Sequence, residues 1–278
     1  MNLLDFRYDK YTTTGNDGII EKIFDILNIK NGYFVEFGAW DGIKGSNCRK
    51  LYEEGWSGIF IEPVGDRFAD LKVNYQNDTN IVCINSVVDR DNHRFDDLVR
   101  PYVKGNIDFC SIDIDGLDLE IFESFEEFMP EVVCIEGGQM LQPDHKRVPE
   151  NVASDNIQQS LKVMCDSFQK KGYKPICSQQ DTFFVKEKYI HLFDTPRQIM
   201  DLYLDGIYSH HRRLPWIKYM IERNGLKNVI VNYVLQNSNY HKYGYHRRKE
   251  WAVAEKELAL SVIKSLGVRF KNREKSKQ

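Results

Sequence analysis

The sequence predicts an α/β protein: a doubly wound, mostly parallel sheet with an antiparallel hairpin at one edge, followed by a mainly helical C-terminal region. Three observations lead there. Five short apolar or β-branched runs, Gly32–Phe37, Gly58–Glu62, Asn80–Ile84, Ile107–Ile112 and Glu131–Ile135, read as strands buried on both faces. Helix-like stretches separate them, which is the spacing of successive βαβ units. The chain of 278 residues is 42% hydrophobic, and its 38 basic residues nearly cancel 41 acidic ones. Such a chain can bury a core, and it lacks the charge imbalance of a disordered one.

Each element has its own warrant. The opening helix, Gly18–Leu27, shows an apolar face of Ile19, Ile20, Ile23, Phe24 and Leu27, with Asp17 placed to cap it. Asn47–Glu54, Asp66–Tyr75, Arg94–Val103 and Asp118–Phe128 fill the gaps between strands, and Asp155–Lys171 follows the fifth. Tyr173–Cys177 and Thr182–Val185, joined by Ser178-Gln179-Gln180-Asp181, form the hairpin. From Pro196 onward strand signals fade, apart from Val229–Val234. Helical stretches dominate there, at Arg197–Leu204, Pro215–Arg223 and Trp251–Leu266, and Lys271–Gln278 is a charged tail. The reading divides the chain into a ligand-binding domain, residues 1–190, and a mainly helical region, residues 191–278, for acceptor binding or oligomerisation.

Several classes of protein drop out. No apolar run approaches the ~18 residues of a membrane span, and Met1–Lys10 has no apolar signal-peptide core. Six cysteines occur without a C-x-x-C pair, so reduced thiols and a cytoplasmic setting are expected. Residues 207–278 hold 16 Lys or Arg against 5 Asp or Glu, a balance of +11, while residues 1–206 hold 22 against 36, a balance of −14. A basic end on an acidic body suits an anionic partner or self-association into a homo-oligomer. The acidic body, with no nucleic-acid motif, argues against nucleic acid.

The chemistry concentrates at strand ends. Val35-Glu36-Phe37-Gly38-Ala39-Trp40-Asp41-Gly42 follows the first strand, where open α/β sheets bind ligands. The second strand ends in Ile61-Glu62-Pro63, where a carboxylate can accept both ribose hydroxyls of a nucleoside. A dinucleotide turn would be G-x-G-x-x-G around a pyrophosphate. Here Glu36 and Asp41 put negative charge beside the turn, which suits the sulfonium and ammonium of S-adenosylmethionine. The fourth strand ends in Ser111-Ile112-Asp113-Ile114-Asp115-Gly116-Leu117-Asp118. Three carboxylates that close need a cation, a proton or hydrogen-bond donors. Asp118 can cap the next helix, and alternation would send Asp113 and Asp115 to one side.

Together these motifs resemble the FkbM-like S-adenosylmethionine-dependent methyltransferases, over roughly residues 14–190. The resemblance rests on Gly15-Asn16-Asp17-Gly18-Ile19-Ile20-Glu21, the Phe34–Gly42 turn, Ser46-Asn47, and Gly55-Trp56-Ser57-Gly58 running into Ile61-Glu62-Pro63. It continues through Ser111–Gly116 and Gly172-Tyr173 to Phe183-Phe184-Val185. It implies a Rossmann-like methyltransferase sheet with an antiparallel edge hairpin, and an O-methyltransferase acting on a sugar, glycan or natural-product precursor, as in polysaccharide biosynthesis. It puts Glu36, Gly38 and Asp41 around the methionine moiety and Glu62 on the ribose, with Thr14, Ala39 and Asn47 also among the cofactor-binding residues. Asn85 and Ser86 fall by the adenine, and Asp113 by the methionine end or the acceptor. The related pattern has Ser-Gln before its Gly-Glu-Asp stretch, where this chain has Thr13-Thr14. Residues 191–278 match no pattern of the family.

Three roles stay open at this point. Asp113, Asp115 and Glu136 could form an oxygen cage for Mg²⁺, or Glu136, followed by Gly137-Gly138, could bind substrate. The proton of the acceptor hydroxyl could go to Asp113, Asp115, His145 or the His210-His211 pair. Arg212, Arg213, Arg247 and Arg248 could hold an anionic small-molecule acceptor, such as a nucleotide-linked sugar or a phosphorylated capsule precursor. A nicotinamide-dependent oxidoreductase and a degenerate nucleoside-binding scaffold are the competing classes.

Overall fold

A computed structural model describes residues 1–137, 146–147, 158–193, 198–199 and 201–203. From the amino end the elements are α1 (Asn16–Leu27), β1 (Tyr33–Phe37), α2 (Arg49–Glu53), β2 (Ser57–Ile61), α3 (Gly65–Tyr75), β3 (Ile81–Ile84) and α4 (Phe95–Val99). Then come β4 (Phe109–Ile112), α5 (Asp118–Glu123), β5 (Val132–Glu136), α6 (Leu161–Lys170), β6 (Tyr173–Ser178) and β7 (Asp181–Lys186). The seven strands form one sheet in the order β3-β2-β1-β4-β5-β7-β6. Pairing is parallel from β3 across to β5, and β7 runs antiparallel to both β5 and β6. This is the doubly wound sheet with an antiparallel edge hairpin. The chain steps outward from β1 to β3 and then crosses back to β4. That reversal opens a crevice at the carboxyl ends of β1 and β4.

The strand sequences explain the sheet. β1 is buried at four of its five residues and β4 at all four, so neither needs a polar face. On one side α1 lays down Ile19, Ile20, Ile23 and Phe24, with Phe24 edge-on to Trp56 at 4.6 Å and to Phe109 at 5.7 Å. On the other side Phe168 of α6 lies between Phe122 and Phe184, with ring centroids 3.5 and 3.7 Å away. Each such ring stabilises the fold by about 1.5–3 kcal/mol through burial.

Helix ends depart most from expectation. α4, α5 and α6 are shorter than the sequence pattern suggested, and Ser160 caps α6 by accepting from the Val163 amide. Asp155 itself lies outside the described residues. Asp17 does not cap α1. It sits inside the first turn, and its Oδ2 accepts from the amides of Lys10, Tyr11 and Thr12 and from the Thr12 hydroxyl. Asp118 is likewise no cap of α5, whose N-cap is Leu117. Its carboxylate accepts from the Ile114 and Gly116 amides, both at 2.9 Å. In each case an aspartate binds the amides that a folded-back loop presents, which lie closer than those of its own helix. Cys83 is only half-buried, whereas the other five free thiols are buried. Among the described residues no helix is long and apolar enough to cross a membrane. Nearly all of residues 191–278 lie outside the described residues, including the expected segments Pro215–Arg223, Val229–Val234, Trp251–Leu266 and Lys271–Gln278.

Candidate functional site

The turn after β1 is packed tightly against its neighbours. Gly38 has φ +67°, and a Cβ there would lie 2.0 Å from the Asp113 carbonyl oxygen, so only glycine lets β1 and β4 close at the crevice. Gly42 makes room for Tyr75 and Leu71, and the Tyr75 hydroxyl donates to its carbonyl at 2.6 Å. Both glycines therefore serve contacts within the protein. The Ala39 amide donates to the Ile61 carbonyl, which ties the turn to the end of β2. Trp40 sits between the glycines at φ +51°, a conformation that a bulky residue seldom adopts. Asp41 accepts from the Ile43 and Lys44 amides and so closes the turn on itself.

Beneath the turn lies a buried polar network. Glu36, inside β1, accepts from the Ser46 hydroxyl at 2.6 Å and from the amides of Asn47 and Cys48 at 2.8 and 3.2 Å. Burial pushes its carboxyl up to about 7 against the pull of these donors. The Asn47 side chain donates to the Ser111 hydroxyl and accepts from Asn16. Asn16 also donates to Asp181 and accepts from Gln179, and the Thr14 hydroxyl reaches Asp181 at 3.5 Å. Thr14, Glu36 and Asn47 thus share one web that ties the amino-terminal segment to β1, β4 and β7.

Glu62 lies just beyond β2 and is 1% exposed. One of its oxygens accepts from the Trp40 amide and the other from the Val64 amide, each at 2.8 Å. Each oxygen keeps a lone pair. Asn85, past β3, donates to the Glu62 and Pro63 carbonyls, and the Ser86 hydroxyl donates to the Val87 carbonyl.

Carboxylates line the other flank. One oxygen each of Asp113, Asp115 and Glu136 lies within 4.8 Å of the others. They meet because β4 stops at Ile112 and Asp115 turns back at φ +59°, not through strand alternation. Glu136 pairs across the sheet with Asp181. Desolvation, then the charges of Glu136, Asp181, Asp118 and Asp115, hold the Asp113 carboxyl well above the usual range, although its side chain opens to solvent. Burial and then Asp181, Asp118 and Asp115 raise Glu136 to about 7, while Gln158 donates to it at 2.9 Å. Among the described residues no Lys or Arg pairs with any carboxylate of this row. Three carboxyl oxygens this close would have their charge compensated by a hard divalent cation once ionised, and the donor set fits one.

His145, the His210-His211 pair and Arg212, Arg213, Arg247 and Arg248 lie outside the described residues. Asp181 belongs to the site and escaped the sequence reading, which had put it in the hairpin turn. Its signal was the register that sets it beside Glu136. A ring of exposed apolar residues also escaped notice: Trp40, Val64, Val87 and Leu117, one in each loop that follows β1 to β4, at 41–50% exposure. A groove of about 690 Å³ opens at the opposite edge of the sheet, lined by Asn31, Ser57, Asn80, Tyr102 and Asp108. The Asp108 carboxylate there accepts from the Tyr33 amide, and the catalytically useful groups gather at the carboxyl edge instead.

No family model matches the sequence, and no curated protein matches it. Solved structures do. A conserved hypothetical protein from Streptococcus pyogenes matches at TM-score 0.38 and 13% identity over 60% of this chain and 95% of its own. The N-terminal domain of EvdMO1 with SAH bound matches at 0.43 and 11%, over 63% and 82%. A SAM-dependent methyltransferase from Aquifex aeolicus matches at 0.38 and 14%, over 59% and 86%. At these scores and identities the likeness extends to neither ligand nor chemistry.

Proposed function

We propose that the protein is an S-adenosylmethionine-dependent O-methyltransferase that modifies a hydroxyl of a sugar, glycan or phosphorylated precursor. The observation that carries this reading is the polarity of the crevice. Glu62 stands fixed on one flank and the Asp113–Glu136–Asp181 row on the other, with no cation paired to either among the described residues. Such a crevice suits a cationic nucleoside and repels the pyrophosphate of a dinucleotide. Glu62 would take the ribose hydroxyls on its remaining lone pairs. Val64, Val87, Asn85 and Ser86 would flank the adenine, and Gly38, Ala39 and Asp41 the methionine end. Thr14, Glu36 and Asn47 would hold that end from beneath.

The cofactor supplies an electrophilic methyl group, and this chain's residues must align an acceptor oxygen with it and receive the acceptor's proton. Asp113 suits the second task in a particular way. Its carboxyl is held above the usual range by desolvation and then by the neighbouring carboxylates, and positive charge arriving beside it favours the carboxylate. Asp113, Asp115 and His145 are the proton acceptors of this reading. Where Asp113, Asp115 and Glu136 hold Mg²⁺ instead, the ion would fix and acidify the acceptor hydroxyl and His145 would take its proton. Residues 191–278 would supply acceptor binding or an oligomer surface. Calorimetry with S-adenosylhomocysteine and with NAD⁺ tests the reading. Micromolar binding of the first and none of the second is expected, and the reverse order would replace the methyltransferase with an oxidoreductase.

A further inference from the structure

Three described residues other than glycine adopt the left-handed conformation: Asn28, Trp40 and Asp115. Asn28 ends α1, where asparagine is at home, and Asp115 belongs to the acidic row. Trp40 fits neither case. Its Cβ is disfavoured at φ +51°, its amide is pinned by Glu62, and its side chain remains 45% exposed rather than packed away. A large aromatic held in a strained conformation and left in solvent is a candidate for contact with a ligand.

Two cations lie over the indole ring. The Arg67 guanidinium lies 4.7 Å from the ring centroid, and the Lys44 ammonium 5.7 Å. Among the described residues neither forms an ion pair, whereas Lys10, Arg49, Lys50, Arg94 and Arg100 all do. Both side chains are solvent-exposed, Lys44 in the loop after β1 and Arg67 in the first turn of α3. An exposed aromatic plane covered by cations that have no carboxylate partner can exchange them for a planar ring and give them phosphate oxygens to bind. Saccharides alone would not call for the cations, and inorganic phosphate alone would not call for the indole.

We infer that Trp40, Arg67 and Lys44 form a recognition site for a nucleoside diphosphate, which would be the handle of a nucleotide-linked acceptor. The base takes the face of Trp40 that the cations cover in the free protein, and Arg67 and Lys44 turn from the ring to the phosphates. The inference rests on the methyltransferase reading for what lies beside the site, and it assigns the anionic handle of the acceptor to the described body of the chain.

Calorimetric titration of the full chain with UDP, with and without saturating S-adenosylhomocysteine, tests it. The expected result is UDP binding in both conditions, weakened at least tenfold in Arg67→Gln and in Trp40→Leu. The Arg67 side chain is exposed and, among the described residues, makes no hydrogen bond to the fold, so its variant is expected to fold normally and keeps the test decisive. Displacement of UDP by S-adenosylhomocysteine would overturn the inference, because UDP would then occupy the nucleoside crevice. Pyrophosphate binding as tightly as UDP, or no UDP binding at millimolar concentration, would overturn it as well. UDP binding that depends on Trp40, without S-adenosylhomocysteine binding, would uphold this site and refute only the methyltransferase reading.

Discussion

Replacing Glu136 with Gln should change how stability depends on pH, and both sign and size follow from the structure. The Glu136 carboxyl is raised from its ordinary 4.5 to about 7, by burial first and then by Asp181, Asp118 and Asp115. Between those values the folded chain keeps a proton that the unfolded chain has lost. This stabilising difference is complete below pH 4.5 and disappears as pH rises through 7. At about 1.4 kcal/mol per pH unit the interval amounts to about 3 kcal/mol, which partial exposure reduces to about 2 kcal/mol. Asp118, raised to about 6 chiefly by burial, acts in the same direction over a lower interval. For a chain of this size 2 kcal/mol corresponds to about 4–8 °C in melting temperature. Thermal melts with a chelator present, from pH 5 to pH 8 at constant ionic strength, should therefore show a falling melting temperature. Glu136→Gln should flatten that fall and raise the melting temperature at pH 8. A melting temperature that rises with pH, or a slope unchanged in the variant, would refute the reasoning, since the row would not be carrying uncompensated charge.

Other outcomes follow from the same geometry. Millimolar Mg²⁺ should raise the melting temperature at pH 7.5 in the parent and not in Glu136→Gln; equal shifts in both would remove Asp113, Asp115 and Glu136 as its ligands. Gly38→Ala should cost about 2–4 kcal/mol in urea unfolding, because its Cβ meets the Asp113 carbonyl oxygen at 2.0 Å. A neutral result there would mean that β1 and β4 are not so close at the crevice. Glu62→Ala should weaken S-adenosylhomocysteine binding by about 1.5–3 kcal/mol in calorimetry, the range for hydrogen bonds to a charged group. Unchanged affinity would leave Glu62 as an anchor for the Trp40 and Val64 amides alone.

The strands were legible because a parallel sheet buried on both faces writes continuous apolar runs, and β1, β2, β4 and β5 follow theirs to within about two residues. Helix ends were not, because Asp17 and Asp118 fit the cap pattern equally well whether they bind their own helix or a neighbouring loop. Only the fold decides which amides come nearer. The convergence of Asp113, Asp115 and Glu136 was foreseen from their positions at adjacent strand ends. Asp181 was missed because its place depends on the β5–β7 register, which a hairpin pattern leaves undetermined by one residue. Trp40 was missed for another reason. A turn motif records its glycines and acids, and the backbone conformation of the residue between them appears only in three dimensions.

The central claim is that the crevice at the carboxyl ends of β1, β2 and β4 receives S-adenosylmethionine. A crystal structure of the full chain with S-adenosylhomocysteine tests it most directly. Ribose hydroxyls are expected within hydrogen-bond distance of Glu62, adenine beside Val64 and Asn85, and the sulfur between Gly38 and Asp113. Ligand density at the amino edge of the sheet, or a ribose placed away from Glu62, would contradict it.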